Sequence, residues 1–282
     1  MPADPEAKRK PNPSIRKERQ MKQQVAVITG ASSGIGEALA EALAARGTQL
    51  VLVARSAHRL EELAARLRRA GCVAHVLPID LAEAGAAQRL HEAIHALGLP
   101  VDTLINNAGT GYYGPFEAEP TERLAQTLHL NIVTLAELTR LFVPDLLLRK
   151  GTILNIASTA AFQPTPFMSS YGATKAFVLS FSEALWAEYR GRGLRVVAVC
   201  PGPVETPFIN AMGADVRRTS IFRKPMPIED AVRACLKALD SSKPSRIVGT
   251  GNWLSVQMGR LSPRVLTARL SAAMLKPSGP HQ

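Results

Sequence analysis

The chain has 282 residues, 46% of them hydrophobic and 20% charged, with a formal net charge of +11. Its mean hydropathy is +0.02 and no apolar run reaches the ~18 residues of a membrane span, so it reads as a soluble globular chain with a substantial core. Cys72, Cys200 and Cys235 are far apart, with no CxxC or Cys/His cluster, which argues against a zinc site or a disulfide scaffold and sets the expectation of no metal and a reduced, cytoplasmic setting.

The positive charge is uneven. Residues 1–22 hold seven Lys/Arg against three Asp/Glu and few apolar residues, a composition expected of a disordered, solvated tail. No zinc-finger spacing, RNA-recognition motif or aromatic-interleaved basic strip accompanies it, so no nucleic-acid partner is expected. Nor does an apolar signal segment open the chain.

Gln24 to Thr29 is a short run rich in β-branched residues and fits a buried parallel strand. It feeds Gly30-Ala31-Ser32-Ser33-Gly34-Ile35-Gly36 and then an alanine-rich helix that ends at Gly47. Strand, glycine turn and helix together make a dinucleotide site: glycines admit the ligand close to the backbone, and the helix N-terminus offers free N–H groups to a pyrophosphate. The spacing is Gly-x-x-x-Gly-x-Gly and departs from the usual Gly-x-Gly-x-x-Gly. The second strand, Gln49 to Ala54, ends at Arg55. A carboxylate at this point would bond a ribose 2′-hydroxyl; an arginine accommodates a 2′-phosphate and points to NADP(H).

Cys72 to Pro78 reads as the third strand, after which Asp80, beside Leu81, either reaches an adenine edge or caps the helix expected from Glu83 to Leu97. The fourth strand, Val101 to Ile105, runs into Asn106-Asn107-Ala108-Gly109, small residues suited to contact with a ribose and nicotinamide. Tyr112, Tyr113 and Phe116 follow as candidates for a substrate mouth. Thr121 to Leu148 is helical, with a break expected near Pro144, and contains Asn131, a residue ordinarily poor in a helix interior. Gly151 to Ala157 is the fifth strand and delivers Ser158.

Ser169 to Tyr189 reads as a helix carrying Tyr171 and Lys175, whose spacing puts them on one face. An ammonium one turn from a phenol is expected to pull its pKa down from ~10 toward neutrality. Arg195 to Val199, the sixth strand, is closed by Pro201-Gly202-Pro203-Val204-Glu205-Thr206. Within 204–227, Phe208, Ile209 and Met212 join Phe162, Phe167 and Met168 as candidates for an apolar pocket. Arg217, Arg218, Arg223 and Lys224 suit an anionic substrate or, the favoured reading, a solvated face. Ile228 to Leu239 is amphipathic and Arg246 to Gly249 a last short strand. Residues 250–282 form a basic amphipathic extension divided at Pro263. It is expected to cap the cleft or meet another subunit, with peripheral contact to an anionic membrane as the alternative.

The alternation of strand and helix implies an α/β, doubly wound, Rossmann-like domain over 23–249, with a mainly seven-stranded parallel sheet and helices on both faces. Residues 204–227 are read as its lid. TGASSGIG at 29–36, NNAG at 106–109, Asn131, Ser158, Tyr171-Gly-Ala-Thr-Lys175 and PGPVET at 201–206 resemble, in this order, the classical short-chain dehydrogenase/reductase family. The resemblance runs from about Val25 to Gly249. It implies an NADP(H)-dependent oxidoreductase of a carbonyl or secondary alcohol. Tyr171 would be the general acid, Lys175 would depress its pKa and bind the nicotinamide ribose, and Ser158 would polarise the carbonyl. Asn131 would hold a water linking Lys175 to solvent, and Val204 and Thr206 would contact the nicotinamide end. A small apolar or acyl-type carbonyl substrate and a homodimer or homotetramer are expected. The alternative is a non-catalytic NADP-binding regulator on the same fold, against which the full Asn131, Ser158, Tyr171 and Lys175 set argues.

Overall fold

The computed structural model describes residues 24–213 and 216–276; the basic tail read at 1–22 lies outside them. All five residues of β1 (Val25–Thr29) are buried, as a parallel strand covered on both faces requires. Helix and strand then alternate through α1 (Gly34–Ala44), β2 (Gln49–Ala54), α2 (Ala57–Arg69), β3 (Ala74–Pro78), α3 (Ala86–Ala96) and β4 (Val101–Asn106). Next come α4 (Thr121–Leu128), α5 (Leu135–Arg149), β5 (Thr152–Ile156), α6 (Ser169–Tyr189) and β6 (Arg195–Cys200). The order closes with α7 (Pro207–Met212), α8 (Ile228–Leu239), β7 (Ser245–Ile247), α9 (Thr250–Leu261) and α10 (Arg264–Leu275).

The strands form one parallel seven-stranded sheet in the order β3-β2-β1-β4-β5-β6-β7. Strand order reverses between β1 and β4, which opens a crevice at the carboxyl ends of the strands. The two-residue period of the strands divides the core. Ala26, Ile28, Leu50 and Leu52 pack with Leu39 of α1, Leu60 and Leu63 of α2, and Cys235 of α8. Val25, Val27, Val51 and Val53 pack on the other face with Leu90 and Ile94 of α3 and Leu138, Phe142 and Leu146 of α5. Each fully buried Leu, Ile or Phe in these layers contributes about 1.5–3 kcal/mol relative to exposure.

Four sequence expectations are corrected. The helix does not break at Pro144: α5 runs through it to Arg149. Pro144 is exposed, as is Arg140, whose carbonyl cannot receive an N–H from the proline ring nitrogen. Phe142, Val143 and Leu146 around it are buried and hold the helix on the sheet. The irregularity falls earlier, at His129–Thr134, a π-helical turn between α4 and α5 that contains the buried Asn131. Single π turns of this kind favour functional positions. Second, α3 starts at Ala86 rather than Glu83, because Gly85 (φ 71°) stands in the left-handed region and separates the helix from the turn at Asp80. β3 likewise begins at Ala74 rather than Cys72, and β7 covers Ser245–Ile247.

Candidate active site

The glycine turn fills the space between β1 and α1. Gly30 and Gly34 have φ of 68° and 60°, a region that favours glycine. Gly36 works by close packing instead. A Cβ there would lie 2.5 Å from Asn107 Nδ2 and closer still to the Gly30 carbonyl oxygen, and Gly36 is not on the cleft wall. Ser33, in extended conformation, starts α1, whose first N–H groups have no helical partner. Thr29 ties this turn to the end of β4: its hydroxyl accepts from the backbone N–H groups of Asn107 and Ala108, each at 3.0 Å, and donates to Ile105 O at 3.2 Å. Sequence reasoning missed this role. The only signal was a threonine at the last strand position before the first glycine.

A single cleft of about 510 Å³ runs from this turn along the carboxyl ends of the strands. Its wall includes Gly30, Ser32, Ser33, Gly34, Ile35, Arg55, Asp80, Leu81, Asn107, Ala108 and Gly109 from the first half of the sheet. From the second half come Ser158, Tyr171, Lys175, Pro201, Gly202, Val204 and Thr206. Of the predicted catalytic and cofactor-binding residues, Gly36 and Asn131 stand behind the wall. At one end the Arg55 side chain is 77% exposed, with its guanidinium 4.0 Å from the Asp80 carboxylate. Asp80 accepts from Ala82 N at 2.9 Å, so it caps the turn after β3 and not α3. Arg59, in the first turn of α2, borders the cleft too, a second cation four residues after Arg55 that sequence reasoning missed.

Deeper in, Tyr171 and Lys175 are both buried on α6, with the Lys175 Nζ 5.8 Å from the Tyr171 ring centroid. Lys175 donates to Ile156 O at 2.7 Å. Ser158 caps the short 3-10 turn after β5, its hydroxyl accepting from Ala160 N at 3.1 Å. The expected depression of the tyrosine pKa is not found. Burial pushes the Tyr171 phenol up to about 12, and a Ser158 hydrogen bond offsets this only in part. Burial also draws the Lys175 ammonium down to about 8. Desolvation is the dominant influence on both groups. The phenol is therefore held in its protonated, proton-donating form.

Asn131 is clasped rather than free. Its amide donates to Thr110 O (2.8 Å) and Thr174 Oγ1 (3.0 Å) and accepts from Thr110 N (3.0 Å). Both amide hydrogens are committed, so a water of the kind the resemblance implies would have to donate to an acceptor of Asn131. What it does is pin the Thr110 loop to α6 beside Lys175. Gly111 in that loop was also missed: a Cβ there would lie 2.8 Å from Tyr171 Cδ2, so only glycine leaves the ring in place.

The far end of the cleft is apolar. Met168, Phe208, Ile209 and Met212 line it as expected, joined by Ile221, Phe222 and Leu275. Phe162 and Phe167 are not on this wall. Phe167 instead sits at φ 64° and takes a hydrogen bond from Gly114 N. The candidate mouth residues are elsewhere as well: Phe116 is exposed, Tyr112 lies beneath Arg123, and the buried Tyr113 donates to Leu275 O at 2.6 Å. Arg217, Arg218, Arg223 and Lys224 are absent from the wall; Arg217 pairs with Glu205 at 2.6 Å. Away from the cleft, His91 and His95 of α3 meet Asp145 of α5, with ligand atoms within 4.8 Å of one another. The pair's signal in the sequence is two histidines four residues apart, which falls outside any Cys/His spacing.

Sheet order and glycine turn define a Rossmann-type dinucleotide-binding fold. A family model described as short chain dehydrogenase matches residues 24–217. Very-long-chain 3-oxoacyl-CoA reductase of Anas platyrhynchos is 37% identical over 219 residues, covering 75% of this chain and 67% of that protein. 17-beta-hydroxysteroid dehydrogenase type 3 of Mus musculus is 35% identical over 201 residues, covering 70% and 65%. The chain thus spans about two thirds of the length of these relatives. Among solved structures, a short-chain dehydrogenase from Sphingobium yanoikuyae in complex with NADPH superposes with a TM-score of 0.75 at 35% identity, covering 84% of this chain and 93% of that one. The chain belongs to the short-chain dehydrogenase/reductase family.

Proposed function

We propose that the protein reduces a carbonyl group in an apolar, acyl-type substrate with NADPH. The observation that carries this reading is the convergence of Tyr171, Ser158 and Lys175 on one cleft, between the glycine turn and the apolar end. The groups present fit a phosphorylated dinucleotide. Glycine backbone would cradle it at Gly30 and Gly34, where a Cβ at Gly34 would meet the Thr206 side chain at 3.2 Å, and Arg55 and Arg59 would face its 2′-phosphate. A bound reduced nicotinamide supplies the hydride. Gly109 and Val204 wall the space beside Tyr171.

Each side chain has a defined task. The Ser158 hydroxyl donates to the substrate carbonyl oxygen and polarises it. As the carbonyl carbon gains hydride, the Tyr171 hydroxyl gives its proton to the same oxygen, forming the carbinol. A phenol kept protonated by burial is a competent donor to a developing alkoxide. The tyrosinate left behind is stabilised by the neighbouring Lys175 ammonium until it regains a proton. Asn131 is a positioning residue, acting through Thr110 and Thr174. The apolar residues at the far end, Leu275 among them, receive the chain or ring system of the substrate and exclude water. Relatives named for 3-oxoacyl-CoA reduction support the acyl-type reading.

Arg55→Asp is expected to cut the ratio of kcat/KM for NADPH over NADH by roughly 10- to 100-fold, the worth of one charge-assisted hydrogen bond to phosphate. An unchanged ratio would argue against the 2′-phosphate assignment. Lys175 gives a pH test. Its ammonium is charged below about 8 and neutral above, so NADPH affinity, read by fluorescence titration, should weaken as pH rises through that value. Lys175→Met should be weak at every pH and lose this dependence. A dependence that persists in the variant would assign the titration to another group.

A further inference from the structure

We propose that α9 and α10 form a docking surface for an anionic lipid membrane. Their pattern of burial is inverted. On α10 the inward stripe is Thr267, Ser271 and Leu275, two of them small and polar, while Leu266, Leu270 and Met274 on the same helix are exposed. α9 buries Val256 but presents Leu254, Met258 and Leu261, the last 89% exposed. Leu254, Met258 and Leu261 recur at helical spacing, as do Leu266, Leu270 and Met274, so each set forms an outward stripe. Fourteen large hydrophobic residues are exposed among the described residues, and eight fall within 253–274. A helix that serves only a soluble surface carries the opposite pattern, and a concentration of this kind marks a contact site.

Charge decides what covers it. Arg260, Arg264, Arg269 and Lys276 are exposed among these apolar residues, and no Asp or Glu follows Asp240 in the sequence. A second copy of the same face, related by a two-fold axis, would set arginine against arginine with no carboxylate from this segment to answer it. Anionic headgroups supply the missing charge, while leucine and methionine side chains enter the acyl boundary, the arrangement of an interfacial amphipathic helix. The surface is firmly mounted. Tyr113 donates to Leu275 O at 2.6 Å and the Ser220 hydroxyl to Met274 O at 3.0 Å. Leu275 itself lines the cleft, so docking brings the apolar end of the site next to lipid. That last consequence rests on the proposed reaction; the docking does not.

The test is flotation of the full-length protein with vesicles of phosphatidylcholine alone and of phosphatidylcholine with phosphatidylserine. The expected result is recovery with the anionic vesicles, reduced by high salt and by neutral vesicles. Leu266→Glu/Leu270→Glu should lower partitioning about tenfold or more, since each change removes buried apolar area and adds a repelled charge. NADPH affinity and unfolding midpoint should stay unchanged. In a Trp186→Phe background, Trp253 emission should shift to the blue on adding anionic vesicles. Wild-type protein that fails to float would overturn the proposal. So would a double variant that floats as well as wild type, which would transfer lipid binding to the basic tail. A variant that instead splits a dimer in light scattering, with no flotation of wild type, would make the face a subunit contact.

Discussion

Tyr171→Phe is expected to lower turnover on any accepted ketone by about 10³-fold or more, the upper part of what a positioned general acid contributes. NADPH affinity should stay near the wild-type value. The substitution removes one hydroxyl and leaves the ring, which is held by Gly111 on one side and by Phe208 at 5.6 Å between centroids. Lys175 keeps its bond to Ile156 O, so the floor of the cleft is undisturbed. Binding and chemistry should therefore separate cleanly. Loss of NADPH affinity to the same degree as turnover would move Tyr171 from proton donor to structural support.

Gly36→Ala is the second large effect, and it acts on a residue that touches no ligand wall. The added methyl would sit 2.5 Å from Asn107 Nδ2 and nearer still to the Gly30 carbonyl oxygen. The second of these is backbone and cannot swing aside. Either α1 shifts away from β1 or the glycine turn deforms, at a cost of about 3 kcal/mol, the upper end for overpacking a close contact. For a domain of this size that lowers the unfolding midpoint by roughly 6–12 °C. Because Asn107 also donates to Thr29 O and Gly30 O, at 2.9 and 3.2 Å, NADPH affinity should collapse with it. Gly251→Ala, where a Cβ meets nothing within 4 Å, should be close to neutral. Equal midpoints and equal NADPH affinity for Gly36→Ala and wild type would contradict the packing argument.

The parts of the fold legible in the sequence were those carried by local pattern. Ser169–Tyr189 and Ile228–Leu239 stand with the limits their sequence suggested, since their helical periodicity meets no competing constraint. Strands β1 and β6 are apolar runs closed by Gly30 and Pro201, and the strand–helix alternation implied the parallel sheet. What escaped depends on contacts from far along the chain. Pro144 looks like a break, yet burial of Phe142 and Leu146 overrides local propensity. The π turn at Asn131 is secured by Thr110 and Thr174, which lie 21 and 43 residues away.

The site divides the same way. The spacing of Tyr171 and Lys175 was enough to place them together, but not to fix the sign of the tyrosine shift. That sign comes from how completely the fold strips water from both groups. Leu275 reaches the cleft only through α10, in an extension that sequence alone could read as subunit contact, cleft cap or membrane helix. The structure puts one side of α10 at the cleft and leaves the other exposed.

The most direct measurement is deuterium transfer. Wild-type protein is given NADPH deuterated at the nicotinamide C4 position, with a panel of 3-oxoacyl thioesters and bulky apolar ketones. Products are read by mass spectrometry. The account predicts NADPH oxidation with at least one apolar substrate and a carbinol bearing deuterium on the former carbonyl carbon, both lost in Tyr171→Phe. Tight NADPH binding with no deuterated carbinol from any member of the panel would contradict it and favour a cofactor-binding regulator on the same fold.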